Sequence, residues 1–337
     1  MDLSIGTPVD PVPGPVRAAL ADAADAPGYP ATQGTQRVRE AAAGWLARRH
    51  SVSADPSAVL PLIGSKEFIA ALPAMLGCGP GDTVVHPELA YPSYAIGAQL
   101  AGATAVAADG LAALGPGRVA LVWVNSPANP TGRVLPVAHL RKMVNWARER
   151  GAVIAADECY LDLGWDAEPV SILHPEVCGD SARGVLAVHS LSKRSNMAGY
   201  RAGFVTGDPA LVGELLEIRR HAGMMMPAPI QAAMAAALDD DAHAGEQRAR
   251  YATRRERLRA ALATAGWVTE HSEAGLYLWV ARPGLDCWGS VQLLAEAGIL
   301  VAPGEFYGPA GREYVRVALT ATDERIDAAA ARLAAIA

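Results

Sequence analysis

A lysine in a stretch of small polar residues is the strongest chemical signal in the sequence. Lys193 lies in Ser190-Leu-Ser-Lys-Arg-Ser-Asn-Met-Ala-Gly-Tyr-Arg-Ala-Gly-Phe204, directly after the apolar run 185–188, which indicates a buried strand. A lysine at such a strand end can bind an aldehyde cofactor as a Schiff base, while Ser190 and Arg201 hold a phosphate. The alternative is a surface lysine and a salt-bridged arginine on a basic loop.

Further polar residues follow other predicted strands. The apolar run 59–63 leads into Gly64-Ser-Lys66 and a helix, and the free N–H groups of a helix N-terminus can bind phosphate. Tyr91 follows the run 83–86 and could stack on a planar ligand, although packing at the rim is the commoner role of such a residue. Asn129 follows the run 118–124 within a turn sequence.

The run 152–156 ends at Asp157, with Tyr160 close behind. An acid at the end of a buried strand needs a cationic or donor partner, or else it caps a helix. Five short apolar strands thus alternate with helices. This pattern predicts a doubly wound α/β sheet, whose ligands bind outside the carboxyl ends of the strands.

The order of elements changes after Gly266 and predicts a small α+β domain, with strands at 276–280, 299–302 and 314–319 and a helix at 291–297. We assign residues 31–240 to a large domain, and 1–30 and 241–337 to an N-terminal arm and a small C-terminal domain. Alternation in 314–319 places Arg316 opposite an apolar face. Such an arginine suits bidentate carboxylate binding, or is an exposed edge-strand residue.

Composition excludes several classes of function. The chain has 337 residues and a net charge of −6, without a basic stripe interleaved with aromatics, so nucleic acid is not an expected partner. The four cysteines form no CxxC pair and no metal-ligand spacing. Neither a signal peptide nor a run of about 18 apolar residues is present. We expect a cytoplasmic enzyme without a metal or a membrane partner.

Three motifs together resemble the fold-type I, pyridoxal-phosphate-dependent aminotransferases of class I/II. They are Asn129-Pro-Thr-Gly132, Asp157-Glu-Cys-Tyr160, and Ser190-Leu-Ser-Lys193 followed by Gly199-Tyr-Arg-Ala-Gly203, in the family's order and approximate spacing. Gly64-Ser-Lys-Glu67 and the stretches 195–204, 223–234 and 317–324 resemble actinobacterial-type N-succinyldiaminopimelate aminotransferases. The resemblance covers almost the whole chain. It implies a large domain with a mostly parallel central sheet and helices on both faces, plus a small α+β domain.

The resemblance also implies roles for individual residues around pyridoxal 5'-phosphate. Lys193 is the catalytic lysine that binds the cofactor covalently, and Asp157 pairs with the ring nitrogen. The remaining cofactor residues are Asn129 and Tyr160 at the phenolic oxygen, Tyr91 on the ring, and Gly64, Ser65, Lys66, Ser190 and Arg201 at the phosphate. Tyr29 matches a tyrosine that reaches the phosphate of the neighbouring subunit, which implies a homodimer with shared active sites.

Two further residues are implied to contact the substrate. Arg316 would bind the α-carboxylate, and Gly6 lies where the family's N-terminal segment closes over the substrate. The distal carboxylate has no evident partner, and Arg37, Arg194 and the region 221–226 are the candidates.

The implied activity is that of a succinyldiaminopimelate transaminase, which exchanges amino groups between N-succinyl-LL-2,6-diaminopimelate and 2-oxoglutarate in lysine biosynthesis. Alternatives are an aminotransferase for aspartate, aromatic or branched amino acids, a β-lyase of the same fold, and a non-enzymatic regulator. A nicotinamide dehydrogenase would need a G-x-G-x-x-G after a strand, and Gly77-Cys-Gly-Pro-Gly81 follows a predicted helix instead.

Overall fold

A seven-stranded sheet forms the centre of the larger part of the molecule. The computed structural model describes residues 1–110, 114 and 117–336. The strands run in the order β1-β7-β6-β5-β4-β2-β3, and β7 is antiparallel to both of its neighbours while the other pairs are parallel. Their bounds are β1 (Val59–Ile63), β2 (Thr83–His86), β3 (Thr104–Ala107), β4 (Val119–Asn125), β5 (Val153–Asp157), β6 (Val185–Ser190) and β7 (Ala202–Gly207).

Helices cover both faces of this sheet, as a sheet with two apolar faces requires. Val122 and Val124 of β4 pack on one side with side chains of α2, α5 and α9, whereas Leu121 and Trp123 pack on the other with those of α3, α4 and α8. The predicted fold class is therefore confirmed. The helices of this part are α1 (Gly14–Asp22), α2 (Gln36–His50), α3 (Ser65–Met75), α4 (Ser93–Leu100), α5 (Val137–Arg150), α6 (Pro175–Cys178), α7 (Leu191–Arg194), α8 (Pro209–His221) and α9 (Ala228–Asp239).

A four-stranded antiparallel sheet in the order β10-β11-β9-β8 forms a second, smaller core. Arg316 lies on β11, an inner strand of this sheet, so the edge-strand alternative is wrong. Val315, Val317 and Leu319 point into the core, as the alternation predicts. The elements are α10 (Asp241–Thr264), β8 (Val268–Glu270), β9 (Tyr277–Ala281), α11 (Cys287–Glu296), β10 (Ala302–Pro303), β11 (Tyr314–Ala318) and α12 (Asp323–Ala334).

Three strands were absent from the sequence prediction, and one predicted strand is displaced. β3 is a partly exposed edge strand, β8 has only three residues, and β7 carries two glycines that weaken its strand signal. A Cβ at Gly203 would lie 2.6 Å from the carbonyl oxygen of His189, so close strand packing explains that glycine. The strand predicted at 299–302 shrinks to the two residues of β10, because Ile299 and Val301 enter the core from a loop.

The N-terminal arm contacts both parts of the molecule. The amide of Leu3 donates to the carbonyl of Leu300, and the carbonyl of Leu3 accepts from the amide of Ala318, both at 2.8 Å. Leu3 thus belongs to the smaller core, whereas Val16 packs in the larger one. The proposed domain boundaries at residues 30 and 240 stay a prediction.

Membrane-spanning helices and metal clusters are both absent from the described residues. No helix among them combines the length and the apolar character that a membrane span requires. No group of three or more histidine, cysteine, aspartate or glutamate side chains in this part of the chain is arranged to hold a metal ion.

Close packing of α4 on α3 predicts a sensitive glycine. A Cβ at Gly97 would lie 2.9 Å from the carbonyl oxygen of Ile69 and 3.0 Å from that of Ala70. Gly97→Ala should therefore force the helices apart and lower the free energy of unfolding by about 1–3 kcal/mol. Urea denaturation measures this loss. Gly213→Ala at an exposed position of α8, where a Cβ meets nothing within 4 Å, should instead stabilise the fold by about 0.5–1 kcal/mol. Equal effects would contradict the packing argument.

Candidate active site

A cavity of about 280 Å³ lies at the carboxyl ends of β5 and β6, facing the small sheet. Nearly all the predicted site residues line it: Gly6, Ser65, Lys66, Tyr91, Asn129, Asp157, Tyr160, Ser190, Lys193, Arg201 and Arg316. Gly64 lies behind this lining, against Arg201. Tyr29 is 97% exposed and is not part of the lining in its own chain.

Asp157 ends β5 as a buried carboxylate. The hydroxyl of Tyr94 donates to its Oδ2 at 2.8 Å, and the amide of Cys159 donates to its Oδ1 at 3.2 Å. Burial raises the pKa of Asp157, and the donors Cys159 and Tyr94 offset part of that rise. The arrangement supplies a fixed negative charge in low dielectric, which suits a protonated ring nitrogen.

A corner rich in hydrogen-bond donors lies beside the carboxylate. Gly64 precedes α3 at φ +84° without a side-chain cap, which leaves the first N–H groups of the helix available. A Cβ at Gly64 would lie 2.2 Å from Nη2 of Arg201, so only glycine lets the guanidinium approach. Ser190 begins α7 on the other side, where its Oγ accepts from the amide of Ser192 at 3.2 Å. These groups suit a phosphate.

Lys193 follows β6 within the single turn of α7 and points into the cavity. Its ammonium donates to the carbonyl oxygen of Gly6 in the N-terminal arm. Burial lowers the pKa of Lys193, and the positive charges of Arg316 and Arg201 lower it further, while Tyr277 and Cys159 act in the opposite direction. A depressed pKa increases the fraction of neutral amine, which is the nucleophilic and basic form.

Arg316 faces Lys193 from the small sheet. Its Nη1 donates to Oδ1 of Asn129 at 2.9 Å and its Nη2 to the carbonyl of Ser4 at 2.7 Å, while its buried Nε has no hydrogen-bond partner. The guanidinium stacks 3.9 Å from the ring centre of Tyr277. An unpaired buried donor is costly, so this site favours an anionic ligand.

Tyr160 and Tyr277 bring the two sheets together at the cavity. Their hydroxyl oxygens lie 3.3 Å apart. Burial raises the pKa of Tyr160 well above its ordinary value, and the neighbouring Tyr277 raises it further. The Tyr160 hydroxyl is therefore a neutral donor that can hydrogen-bond a ligand oxygen.

The three candidates for the distal carboxylate lie elsewhere in the chain. Arg194 is buried, its Nε donates to Asp162 at 2.6 Å, and its Nη1 donates to the carbonyl of Ala237 at 3.0 Å. Arg37 pairs with Asp239 on the surface. The region 221–226 contributes no residue to the cavity lining. Within this chain, none of them is placed to bind a substrate held by Arg316.

Sequence reasoning missed Tyr94, Cys159 and Tyr277. Tyr94 follows Tyr91 by three residues, which is the spacing of one helix face, but its partner Asp157 is 63 residues away. Tyr277 opens β9 beside Ala318 of β11. Cys159 entered the sequence analysis only as part of the motif Asp157-Glu-Cys-Tyr160. In the structure its thiol donates to Oγ of Ser65 at 3.2 Å.

Comparison with known proteins agrees with this geometry. A family described as aminotransferase class I and II matches residues 1–333. The chain belongs to the class I and II aminotransferases. Enzymes of this family depend on pyridoxal phosphate.

Three curated relatives illustrate the range of the family. The chain is 62% identical over 333 residues to 4-dedimethylamino-4-oxo-anhydrotetracycline transaminase OxyQ of Streptomyces rimosus, which covers 99% of the chain and 92% of the relative. It is 61% identical over 334 residues to a probable aminotransferase of Mycobacterium tuberculosis, a match that covers 99% of this chain and 80% of the relative. It is 35% identical over 355 residues to an LL-diaminopimelate aminotransferase of Dehalococcoides mccartyi, a match that covers 99% of this chain and 90% of the relative.

Solved structures show the same fold. An aminotransferase from Neisseria meningitidis superposes with a TM-score of 0.92 at 30% identity, covering 99% of this chain and 90% of that one. A probable N-succinyldiaminopimelate aminotransferase from Thermus thermophilus gives 0.89 at 31% identity, covering 100% and 95%.

The lining residues fit pyridoxal phosphate. Its ring nitrogen requires an acid such as Asp157, its aldehyde requires an amine such as Lys193, and its phosphate requires the donors around Gly64 and Arg201. Only a glycine at position 64 leaves room for Arg201, so the guanidinium can lie beside the N-terminus of α3, where a phosphate would bind. Tyr91 lines the same cavity, with the Lys66 ammonium 5.5 Å from its ring centre.

Removing the Tyr94 hydroxyl tests how Asp157 is held. Tyr94→Phe leaves the carboxylate with one donor fewer in a buried site, so the pKa of Asp157 should rise further. A hydrogen bond to a charged group contributes about 1.5–3 kcal/mol, so kcat/KM should fall about ten- to a hundredfold. Because protonated Asp157 becomes more populated, the acid limb of the pH profile should move to higher pH.

The pH profile of kcat/KM checks this prediction, with Tyr200→Phe as the control because that residue lies outside the cavity lining. An unshifted acid limb in Tyr94→Phe would show that the hydroxyl does not hold the ionised acid.

Proposed function

We propose that this aminotransferase exchanges amino groups between N-succinyl-LL-2,6-diaminopimelate and 2-oxoglutarate, a step of lysine biosynthesis. The observation that carries the proposal is Arg316, a buried guanidinium in the cavity with an unpaired Nε. Such a group selects α-amino acids and 2-oxo acids as substrates, because both carry a carboxylate beside the reacting carbon. The diaminopimelate relatives, at 35% and 31% identity, support the substrate class.

Pyridoxal phosphate, when bound, supplies a carbonyl that exchanges amino groups and a ring that withdraws electrons from the substrate's Cα. Lys193 would attach it, and Ser65, Ser190 and Arg201 would hold its phosphate. Asp157 would hold a proton at the ring nitrogen, since its carboxylate is buried and kept in place by hydrogen bonds. Asn129 and Tyr160 would donate to the oxygen of the ring.

Lys193 also serves as the general base of the reaction. Its Nζ would take the proton from the substrate's Cα, and burial, which lowers the pKa of Lys193, favours the neutral amine that can do so. A positioned base contributes about 10²–10⁴ in rate. Arg316 fixes the α-carboxylate so that the Cα–H bond faces the lysine. Gly6 closes the cavity over the substrate.

A second candidate is the amination of a polycyclic ketone. The 62% identity to OxyQ over 99% of the chain favours it. The substrate in that relative's name is an anhydrotetracycline with a ketone at C4. It differs from a 2-oxo acid because it lacks a carboxylate next to the reacting carbon. Under this alternative Arg316 binds only the amino donor.

Absorbance spectra of the protein loaded with pyridoxal phosphate separate the two candidates. We expect N-succinyl-LL-2,6-diaminopimelate to convert the cofactor from its aldehyde to its amine form, and 2-oxoglutarate to restore it. Conversion by L-glutamate but not by N-succinyl-LL-2,6-diaminopimelate, with restoration by a polycyclic ketone as well as by 2-oxoglutarate, would overturn the lysine-pathway proposal and favour the second candidate. A protein unchanged by every amino donor would overturn both.

Two variants serve as internal controls for the spectra. Lys193→Ala should lower the rate by at least the factor of roughly 10²–10⁴ that a general base contributes, because it removes the amine proposed to act as that base. Arg316→Lys keeps the charge but loses the planar fork, so KM should rise for every carboxylate substrate while the spectrum without substrate stays the same. A KM unchanged in Arg316→Lys would contradict the proposed role.

We further propose a homodimer in which Tyr29 reaches the phosphate of the neighbouring subunit. The 97% exposure of Tyr29 in its own chain supports this role, because a tyrosine this exposed gains little from its own fold. Light scattering should give twice the chain mass of 35.0 kDa. Tyr29→Phe should weaken cofactor binding without changing the mass. A monomer with full activity would disprove both statements.

A further inference from the structure

Two separate anchors hold the N-terminal arm over the cavity. The first is residues 3–6, whose carbonyls bond to the small sheet and to Lys193: Ser4 accepts from Arg316 at 2.7 Å, Ile5 accepts from the hydroxyl of Thr320 at 3.0 Å, and Gly6 accepts from the Lys193 ammonium. The second is Asp10. Residues 7–9 between them make no hydrogen bond in the described part of the chain.

Asp10 is bound by α10 with both carboxylate oxygens. Nη1 and Nη2 of Arg254 donate to Oδ2 and Oδ1, each at 2.7 Å, and the amide of Gln247 donates to Oδ2 at 2.8 Å. The side chains of Asp10 and Arg254 are 9% and 3% exposed. Burial raises the pKa of Asp10, but the hydrogen bonds from Arg254 and Gln247 outweigh it and hold that pKa below its ordinary value.

The same anchor continues to the turn that carries Lys193. The amide of Asn196 donates to Oε1 of Gln247 at 3.0 Å and to the carbonyl of Pro11 at 3.2 Å. Asn196 lies three residues after Lys193 and adopts φ +54°. The arm, α10 and the lysine turn are thus joined by one hydrogen-bonded set of side chains.

We propose that Asp10 is a positioning residue that latches the arm in its closed position through Arg254. With the latch made, the carbonyls of Ser4 and Gly6 lie against Arg316 and Lys193, and the closed cavity exists before substrate arrives. Without it, residues 7–11 lose the charge pair that holds them and the arm opens. Substrate binding must then close the arm. The apparent dissociation constant of the substrate rises by a factor equal to the inverse of the fraction of molecules whose arm is closed.

Arg254 provides a matched control because it binds a second carboxylate that is not on the arm. Its Nε donates to Asp323 at 2.6 Å, and the Asp323 side chain is 70% exposed at the start of α12. Asp10→Asn and Asp323→Asn each remove one carboxylate charge that pairs with the Arg254 guanidinium. Only Asp10→Asn releases the arm.

Steady-state kinetics and proteolysis of the holoenzyme test the latch, with whichever amino donor the enzyme turns over best. In Asp10→Asn we expect KM for the donor to rise about tenfold, which corresponds to an arm closed about a tenth of the time, while kcat changes less than about threefold because the bound state still closes. Asp323→Asn should keep both constants within about twofold. Asp10→Glu, which retains the charge, should recover part of the loss.

Thermolysin provides a readout that needs neither substrate nor turnover. It cuts before aliphatic residues, and Ile5 and Val9 are 61% and 47% exposed. Asp10→Asn should be cut within residues 5–12 at least about tenfold faster than the parent or Asp323→Asn. The proposal would be overturned if thermolysin cut all three proteins equally fast. It would also be overturned if Asp10→Asn lowered only kcat, or if the two asparagine variants had equal kinetic effects.

Discussion

Burial of the Asp157 carboxylate is the constraint on which the arrangement of the site depends. A carboxylate removed from water requires donors in fixed positions. The Tyr94 hydroxyl comes from α4 and the Cys159 amide from the turn after β5, while the Asn125 amide at the end of β4 donates to the main-chain carbonyl of Asp157 at 2.9 Å. Three elements therefore meet at one acid, so its position is set by the sheet and not by a mobile loop.

Glu158, the residue after Asp157, shows why only one negative charge lies at this strand end. Burial raises the pKa of Glu158 to about 8, and burial together with His50 lowers that of His189 to about 3. Oε2 of Glu158 and Nε2 of His189 lie 3.6 Å apart, on the opposite side of the strand end from the cavity. Both shifts favour the uncharged form of the side chain. An uncharged Glu158 avoids a second anion next to Asp157, which would raise the pKa of Asp157 further.

The sequence was informative where local pattern decides the structure. Polar residues at the ends of β4, β5 and β6 could be located because buried parallel strands are continuous apolar runs, and the carboxyl ends of such strands meet. Tyr94 could not be assigned, because its role depends on an acid 63 residues away. The same holds for Arg194, one of three candidates for the distal carboxylate. Its partner in the fold is Asp162, 32 residues away in sequence, and both side chains are buried.

The two sheets divide the proposed tasks, and this division bears on substrate choice. Side chains that suit the cofactor come from the large sheet and its connections, whereas Arg316 and Tyr277 come from the small sheet and Gly6 from the arm. Changes in the small sheet or the arm can alter the substrate while the donors that hold Asp157 stay in place. Relatives at 62% and 35% identity can therefore belong to one family while the substrates in their names, a tetracycline ketone and diaminopimelate, have little in common. Substrate identity must then be sought in the residues that close the cavity, because either substrate would need the same cofactor.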